Sequence, residues 1–316
     1  MTNPEKPFRL NLAAETPDSV VLSDDLNFLE PYAVHLPMLG SYKIDGIRAI
    51  NRGGLVSRTM KSIRSAFARE QFGSGLYEGL DGELIVPPTA VREADTLYHA
   101  TESAVMTVND RSPLLWMVFD KWNASGTYID RQLAFQEQID ANPHEYIRIL
   151  EQRLLVTLAD IRVMEEEALS AGHEGLILRR PDRSYKQGRS TFKEGGIIKL
   201  ARRVMFEAEI IGFNEMMHND NEATTDARGY TKRASHQTNL RPAGMLGSFV
   251  ARHLRTGVVF NLGGKMDHTF RKYVHEHQSE FLTRIARCSS KPYGEKDLPR
   301  QPSWEGWRDP ADMGGE

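Results

Sequence analysis

The chain has 316 residues, 40% hydrophobic and 26% charged, with a formal net charge of −3. These are the values of a soluble globular protein with one large or two ordinary domains. Cys288 is the only cysteine, which excludes an intrachain disulfide and a four-thiolate zinc site and fits a reducing, cytoplasmic setting. No apolar run approaches the roughly 20 residues of a membrane span. The polar, mixed-charge stretch Met1 to Leu12 also lacks the apolar core of a signal peptide.

In chain order, Ser41 to Ile50 reads as extended, with Gly46 allowing close backbone approach. Arg52-Gly53-Gly54 is a turn, and Leu55 to Arg58 is the returning strand. Ser62 to Phe72 reads as helix, and Gly79 to Pro87 as a strand stopped by Pro87-Pro88. Thr89 to Met106 is a mixed helical stretch, Leu114 to Trp122 a buried strand, and Ile129 to Ala141 a helix. Thr157 with Asp160 forms a capping box for a helix through Ser170, and Gly172 stands where a C-cap belongs. Glu174 to Arg180 and Gly196 to Leu200 return as strands.

Beyond Ala201-Arg202-Arg203 the character changes. Phe206 to Phe213 alternates like a strand, Asn214 to Ala243 is a long polar segment, and Gly244 to Leu254 and Gly257 to Leu262 are strand-like. Asp267 to Arg287 reads as one amphipathic helix. Short strands with one helix suit a small barrel such as an OB-fold. From Arg228 to Lys291 twelve Lys/Arg stand against three acids, a formal +9 that suits a phosphate backbone or a solvated basic face. His275-Glu276-His277 does not make a metal site, because positions i and i+2 of a helix face different ways.

The chemistry concentrates at Lys43-Ile44-Asp45-Gly46-Ile47-Arg48, where strand spacing lets Lys43 and Asp45 point into one pocket. A lysine beside a metal-binding carboxylate and a phosphate clamp is equipped to attack phosphorus or carbonyl carbon. Taken alone the string also suits an ordinary hairpin. Other strings accompany it in order: Ser57-Arg58-Thr59, Asp81 to Leu84, Val118-Phe119-Asp120, Glu174 to Arg179, and Tyr185 to Gly195 followed by Ile197-Ile198-Lys199. With the tail Pro299 to Met313, this set resembles the small ATP-dependent DNA ligases of bacteriophages and chloroviruses, within the covalent nucleotidyltransferase superfamily.

The resemblance implies an α+β fold. An adenylation domain of antiparallel sheets with flanking helices would span residues 1–203. An OB-fold barrel would span 204–316 and carry a mobile DNA-binding loop at 214–243. It implies ATP and Mg²⁺ (or Mn²⁺) as cofactors, nicked duplex DNA as partner, a monomer, and a location in the cytoplasm, or the host cytosol for a viral protein. Lys43 would attack the α-phosphate of ATP, giving lysyl-AMP. Glu83 would accept hydrogen bonds from the ribose, and Phe119 would stack on adenine. Glu174 and Asp45 would hold the metal, with Asp45 alternatively orienting Lys43. Lys199 would neutralise the α-phosphate. Arg48 and Arg58 would contact ribose or phosphates, and Arg189 the adenylate or the nick 5′-phosphate. Lys232, Arg233 and Arg241 would contact the DNA backbone.

Two positions depart from the family pattern. Ala201 stands two residues after Lys199, where relatives carry lysine, and Ser41 stands where many carry glutamate. The first bears on rate and the second on nucleotide preference. An RNA ligase or capping nucleotidyltransferase shares the same core; GTP labelling would mark capping. A non-catalytic nick-binding protein would bind DNA without forming lysyl-AMP.

Overall fold

The computed structural model describes residues 8–16, 29–92, 96–108, 111–225, 230–233, 239–291 and 298–308, with only the backbone at Thr225 and Lys232. The chain divides into two units, Met1–Ala201 with Thr225–Thr231, and Arg202–Thr224 with Lys232–Glu316.

Two five-stranded sheets form the first unit. The first sheet orders β2 (Ala14–Glu15), β12 (Ile197–Leu200), β10 (Leu176–Arg179), β3 (Met38–Tyr42) and β9 (Arg153–Leu155). Its only parallel pair is β2 with β12. The second orders β5 (Leu55–Ser57), β4 (Ile47–Asn51), β6 (Leu80–Ile85), β7 (Leu115–Lys121) and β8 (Ile147–Ile149), with β7 and β8 parallel. A short parallel pair, β1 (Asn11–Leu12) with β11 (Gly188–Arg189), lies apart from both.

Helices cover one face of each sheet. Trp116, Ile47 and Leu84 of the second sheet share a core with α1 (Ala66–Phe72), α2 (Leu97–Met106) and α3 (Tyr128–Ala141), through Phe72, Val105 and Phe135. Leu176, Leu178, Ile198 and Leu200 of the first sheet share another with Ile161, Met164 and Ala168 of α4 (Leu158–Ser170). Both halves of the Thr157/Asp160 capping box are present, and Gly172 has the expected left-handed φ of 81° just past the helix end. Burial of each large apolar side chain contributes about 1.5–3 kcal/mol.

In the second unit one antiparallel sheet orders β17 (Val259–Leu262), β16 (Leu240–His253), β13 (Val204–Asn219), β18 (Ile285–Lys291) and β19 (Arg300–Trp307). Phe249, Ala208, Ala286 and Leu262 pack there with Val274 of α5 (His268–Glu276) and with Phe281. The expected barrel is not closed: the edge strands meet at one bridge, Gly263 to Ser303, where Trp304 N donates to Gly263 O at 2.7 Å. A two-stranded ladder joins β14 (Ala223–Thr225) and β15 (Thr231–Arg233).

Three local expectations are corrected. The polar stretch Asn214 to Ala243 is strand at both ends, because β13 and β16 continue into it as one long paired ribbon. Residues 226–229 and 234–238 of that stretch lie outside the described chain. The helix expected to Arg287 ends at Glu276; a 3₁₀ turn at Gln278–Glu280 and Thr283, at φ 65°, reverse the chain into β18. Finally, Ser41 to Ile50 is not one strand. It breaks at residues 43–46, where the chain crosses from β3 in one sheet to β4 in the other.

Gly46 makes that crossing possible: a Cβ there would lie 2.4 Å from Leu84 O and 2.8 Å from Glu83 Cγ. Gly46→Ala is therefore expected to lower the stability of the first unit by about 1–3 kcal/mol, as overpacking does, measured by chemical denaturation. An unchanged midpoint would show that the crossing has slack.

Candidate active site

The crossing sets Lys43 at the junction of the two sheets. Its backbone N donates to Gly175 O at 2.9 Å, continuing the ladder in which Tyr42 faces Leu176. Gly175 has φ 135°, and a Cβ on it would stand 2.1 Å from Leu200 O, so only glycine lets this corner close. The corner brings the carboxylate of nearly buried Glu174 into an ion pair with the Lys43 amine. Asp45 is not on a strand, so alternation is not what places it. Charges on both Lys43 and Asp45 nevertheless act on Glu83, which gathers the three residues in one neighbourhood.

Glu83 faces Arg48 across the β4–β6 ladder. Burial pushes its carboxyl up to about 7, against the pull of Arg48 and Lys43 and with the push of Asp81 and Asp45. Phe119 sits on a β-bulge: Gly82 pairs with Val118 and Asp81 with Asp120, leaving Phe119 as the extra residue. Such bulges re-aim a side chain. The guanidinium groups of Arg48 and Arg179 lie 5.3 and 5.0 Å from its ring centre.

Across the first sheet, Ser41, Ile177, Lys199 and Glu15 stand in one row of paired residues and so share a face. Glu15 holds two of the expected phosphate contacts at once. Its carboxylate pairs with Lys199 Nζ and lies 3.1 Å from Arg189 Nη1, which also donates to Ala13 O at 2.8 Å. Arg58 follows β5 in a tight turn where Met60 takes a left-handed φ of 64°. Arg58, Thr59, Met60, Gly188 and Arg189 line an open hollow of about 410 Å³.

Arg48 is differently placed from Arg58 and Arg189. It makes a bidentate pair with buried Asp81, at 2.9 and 2.5 Å, and donates to Asn11 O at 2.9 Å. Buried Asp120 is held by Arg131, at 2.8 and 3.3 Å, and by Arg179 at 2.9 Å. Burial alone would raise its carboxyl, yet Arg179 and Arg131 keep it below the ordinary range.

In the second unit Arg241 Nε donates to Asp220 at 2.6 Å and Arg233 to Asn221 O; the side chain of Lys232 lies outside the described residues. Arg202 opens this unit. His277 stacks on Tyr273, with ring centres 4.2 Å apart.

Sequence reasoning missed Glu15, Arg131 and Tyr128, whose hydroxyl donates to Phe119 O at 2.6 Å. A two-residue strand such as β2 carries no periodicity, so nothing in the sequence could have signalled Glu15. Tyr128 and Arg131 share the first turn of α3, on the side turned to Phe119 and Asp120, where only three-dimensional packing gives them meaning.

The raised Glu83 carboxyl sets a pH dependence. The folded state keeps a proton that the unfolded chain loses above about 4.5, so this stabilising contribution is complete below 4.5 and lost as pH rises through about 7. Glu83→Gln should flatten the stability profile in that window, by at most about 3 kcal/mol. Denaturation midpoints at several pH values read this out; parallel profiles for the two proteins would sink the assignment.

Residues 36–200 match the family model described as ATP dependent DNA ligase domain. A DNA ligase of Archaeoglobus fulgidus is 26% identical over 190 residues, 53% of this chain and 34% of that one. The chain thus spans about a third of the length of that curated relative. Among solved structures, a Chlorella virus DNA ligase-adenylate is 26% identical with a TM-score of 0.50, covering 95% of this chain and 99% of that one. A structure from work on Lig E DNA ligases is 20% identical with a TM-score of 0.66, at the same coverage, and shows likeness of fold. With the match running from the approach to Lys43 through Lys199 and covering more than half of its residues, the chain belongs to the ATP-dependent DNA ligase family.

Proposed function

We propose that this protein seals nicks in duplex DNA, joining a 3′-hydroxyl to a 5′-phosphate at the expense of ATP. The observation that carries the reading is the Lys43 amine held against Glu174 at the crossing of the two sheets, inside the segment that matches the family. Lys43 attacks the α-phosphate and forms lysyl-AMP with release of pyrophosphate. The amine must first shed its proton, and Glu174 is the carboxylate in contact with it. Lys199, in the same face of the first sheet, then neutralises charge building on the phosphate, leaving Glu15 to do so. Glu83 accepts from the ribose, and Phe119 supplies the surface for adenine.

Glu174 and Asp45 are oxygen donors of the kind Mg²⁺ takes. Among the described residues no group of three or more His, Cys, Asp or Glu converges on one point. A pair of carboxylates with substrate phosphates completing the shell is how Mg²⁺ is commonly held, so the residues fit. When bound, the ion would offset phosphate charge and favour the neutral amine of Lys43.

Arg58 and Arg189 line one hollow, which suits the 5′-phosphate of a nick. Arg48 contributes from behind, fixing Asp81 and covering Phe119. Arg233, Arg241 and Lys232 offer contacts to the DNA backbone. Residues 1–203 form the adenylation domain and 204–316 the OB domain in this reading, and the protein acts as a monomer. No described helix is long and apolar enough to cross a membrane.

A nicked duplex with a labelled 5′-phosphate, Mg²⁺, and ATP or no nucleotide tests the reading. Joining should require ATP and vanish in Lys43→Ala; joining that survives this change refutes it. Lysyl-AMP without joining would indicate another acceptor, RNA first. Arg189→Ala should slow sealing of a pre-adenylated nick on the order of a hundredfold while lysyl-AMP still forms. Equal loss in both steps would place Arg189 on the nucleotide instead.

A further inference from the structure

A second cavity, of about 210 Å³, opens in the first unit and contains none of the residues assigned above to nucleotide or nick. Arg131, Arg179, Arg180, Arg183 and Lys186 line it, with Glu194 as the carboxylate in the wall. It lies at the far end of β10 from the Lys43 corner: Leu176 faces Tyr42, whereas Arg179 faces Leu39 and Ile197, about 10 Å further along the strand.

The positive charge is only partly spent. Arg131 and Arg179 share Asp120, Arg180 holds Asp182 at 2.6 Å, and Lys186 holds Glu194 at 2.6 Å. Counting those carboxylates, five cations stand against three. Arg183 meets Asp182 only at 4.0 Å, beyond hydrogen-bond reach. Arg179 is 5% exposed, and its Nε is a buried donor with no acceptor among the described residues. Leaving a buried donor of this kind unsatisfied is costly, more so when it is charged. Burial, then the charge of Arg180, hold the imidazole of nearby His35 toward the neutral form, so the surplus charge comes from the arginines and lysine alone. A polar cavity with surplus guanidinium charge is complementary to a tetrahedral oxyanion, which arginine engages with paired donors.

We propose that this cavity binds a phosphoryl anion, either free pyrophosphate or a backbone phosphate of a nucleic-acid strand, at a place separate from the nucleotide site. Arg179 joins the two regions, since it lines the cavity and also lies over Phe119.

Calorimetric titration of the full chain with inorganic pyrophosphate, without metal or nucleotide, tests this. Arg180→Ala with Arg183→Ala should weaken binding at least tenfold, about 1.4 kcal/mol, and Arg183→Ala alone by a smaller factor. Lys199→Ala should leave this binding intact. Retained lysyl-AMP formation shows that the variants are folded; the single change, at a half-exposed side chain, serves if the double variant is not. Unchanged affinity in both variants, or absence of binding to the original protein, overturns the proposal. The source is read from nicked-duplex binding against salt. A slope reduced by about one in Arg183→Ala identifies a strand phosphate, and an unchanged slope identifies free pyrophosphate; either result stands within the proposal.

Discussion

Asp120 is the constraint around which the first unit is arranged. One buried carboxylate receives Arg131 from α3 and Arg179 from the first sheet while belonging itself to the second. It thereby ties two sheets and a helix through charge-assisted hydrogen bonds. Desolvation makes such a cluster poor as a source of net stability, but removal of one partner leaves an uncompensated buried charge and costs about 3–5 kcal/mol. The cluster's effect is therefore one of geometry. It fixes the separation of the sheets at the residue next to Phe119, and the Arg48–Asp81 pair adds a second buried ion pair within the second sheet, one strand away.

Within that frame the candidate site divides into two kinds of residue. Lys43, Glu83, Glu174 and Phe119 are placed by backbone features that admit little freedom: the Gly46 crossing, the Gly175 corner and the bulge in β7. Lys199 and Arg189 are placed by ladders, but their charged ends are engaged by Glu15, an exposed residue whose hold is weak in water. Lys43 is thus positioned rigidly, whereas the charged ends of Lys199 and Arg189 are held by an exchangeable carboxylate.

Much of this was legible in the sequence where one residue type answers one physical need. The capping box at Thr157 and the glycines at 46 and 172 were read for the right reasons. The site residues came from a resemblance of ordered strings rather than from periodicity. Where reading failed, the local signal was absent or shared by two structures. No Gly or Pro interrupts residues 268–290, so the reversal after Glu276 left no mark, and amphipathic spacing ran on into a strand. The β13–β16 ribbon is polar and largely exposed toward its tip, which erases the alternation that reveals a strand. Partners distant in sequence, such as Glu15 with Lys199, are invisible to any window.

The two sheets of the first unit differ in the order in which a growing chain can complete them. Every strand of the second sheet lies between Ile47 and Ile149. The first sheet instead pairs β2 with β12, and the Thr16 hydroxyl donates to Lys199 O, 183 positions away. The central pair β3–β10 likewise waits for residue 179. During synthesis at about 5–20 residues per second, the second sheet can gather its core while β3 still lacks its main partner. The Lys43 corner and the Glu15 contacts form only when the last strands arrive. Closure over so long a loop is entropically slow, so the candidate site around Lys43 is completed late in biosynthesis, and a chain ending before Ile197 would carry Lys43 without Lys199 and without the strand that holds Glu15.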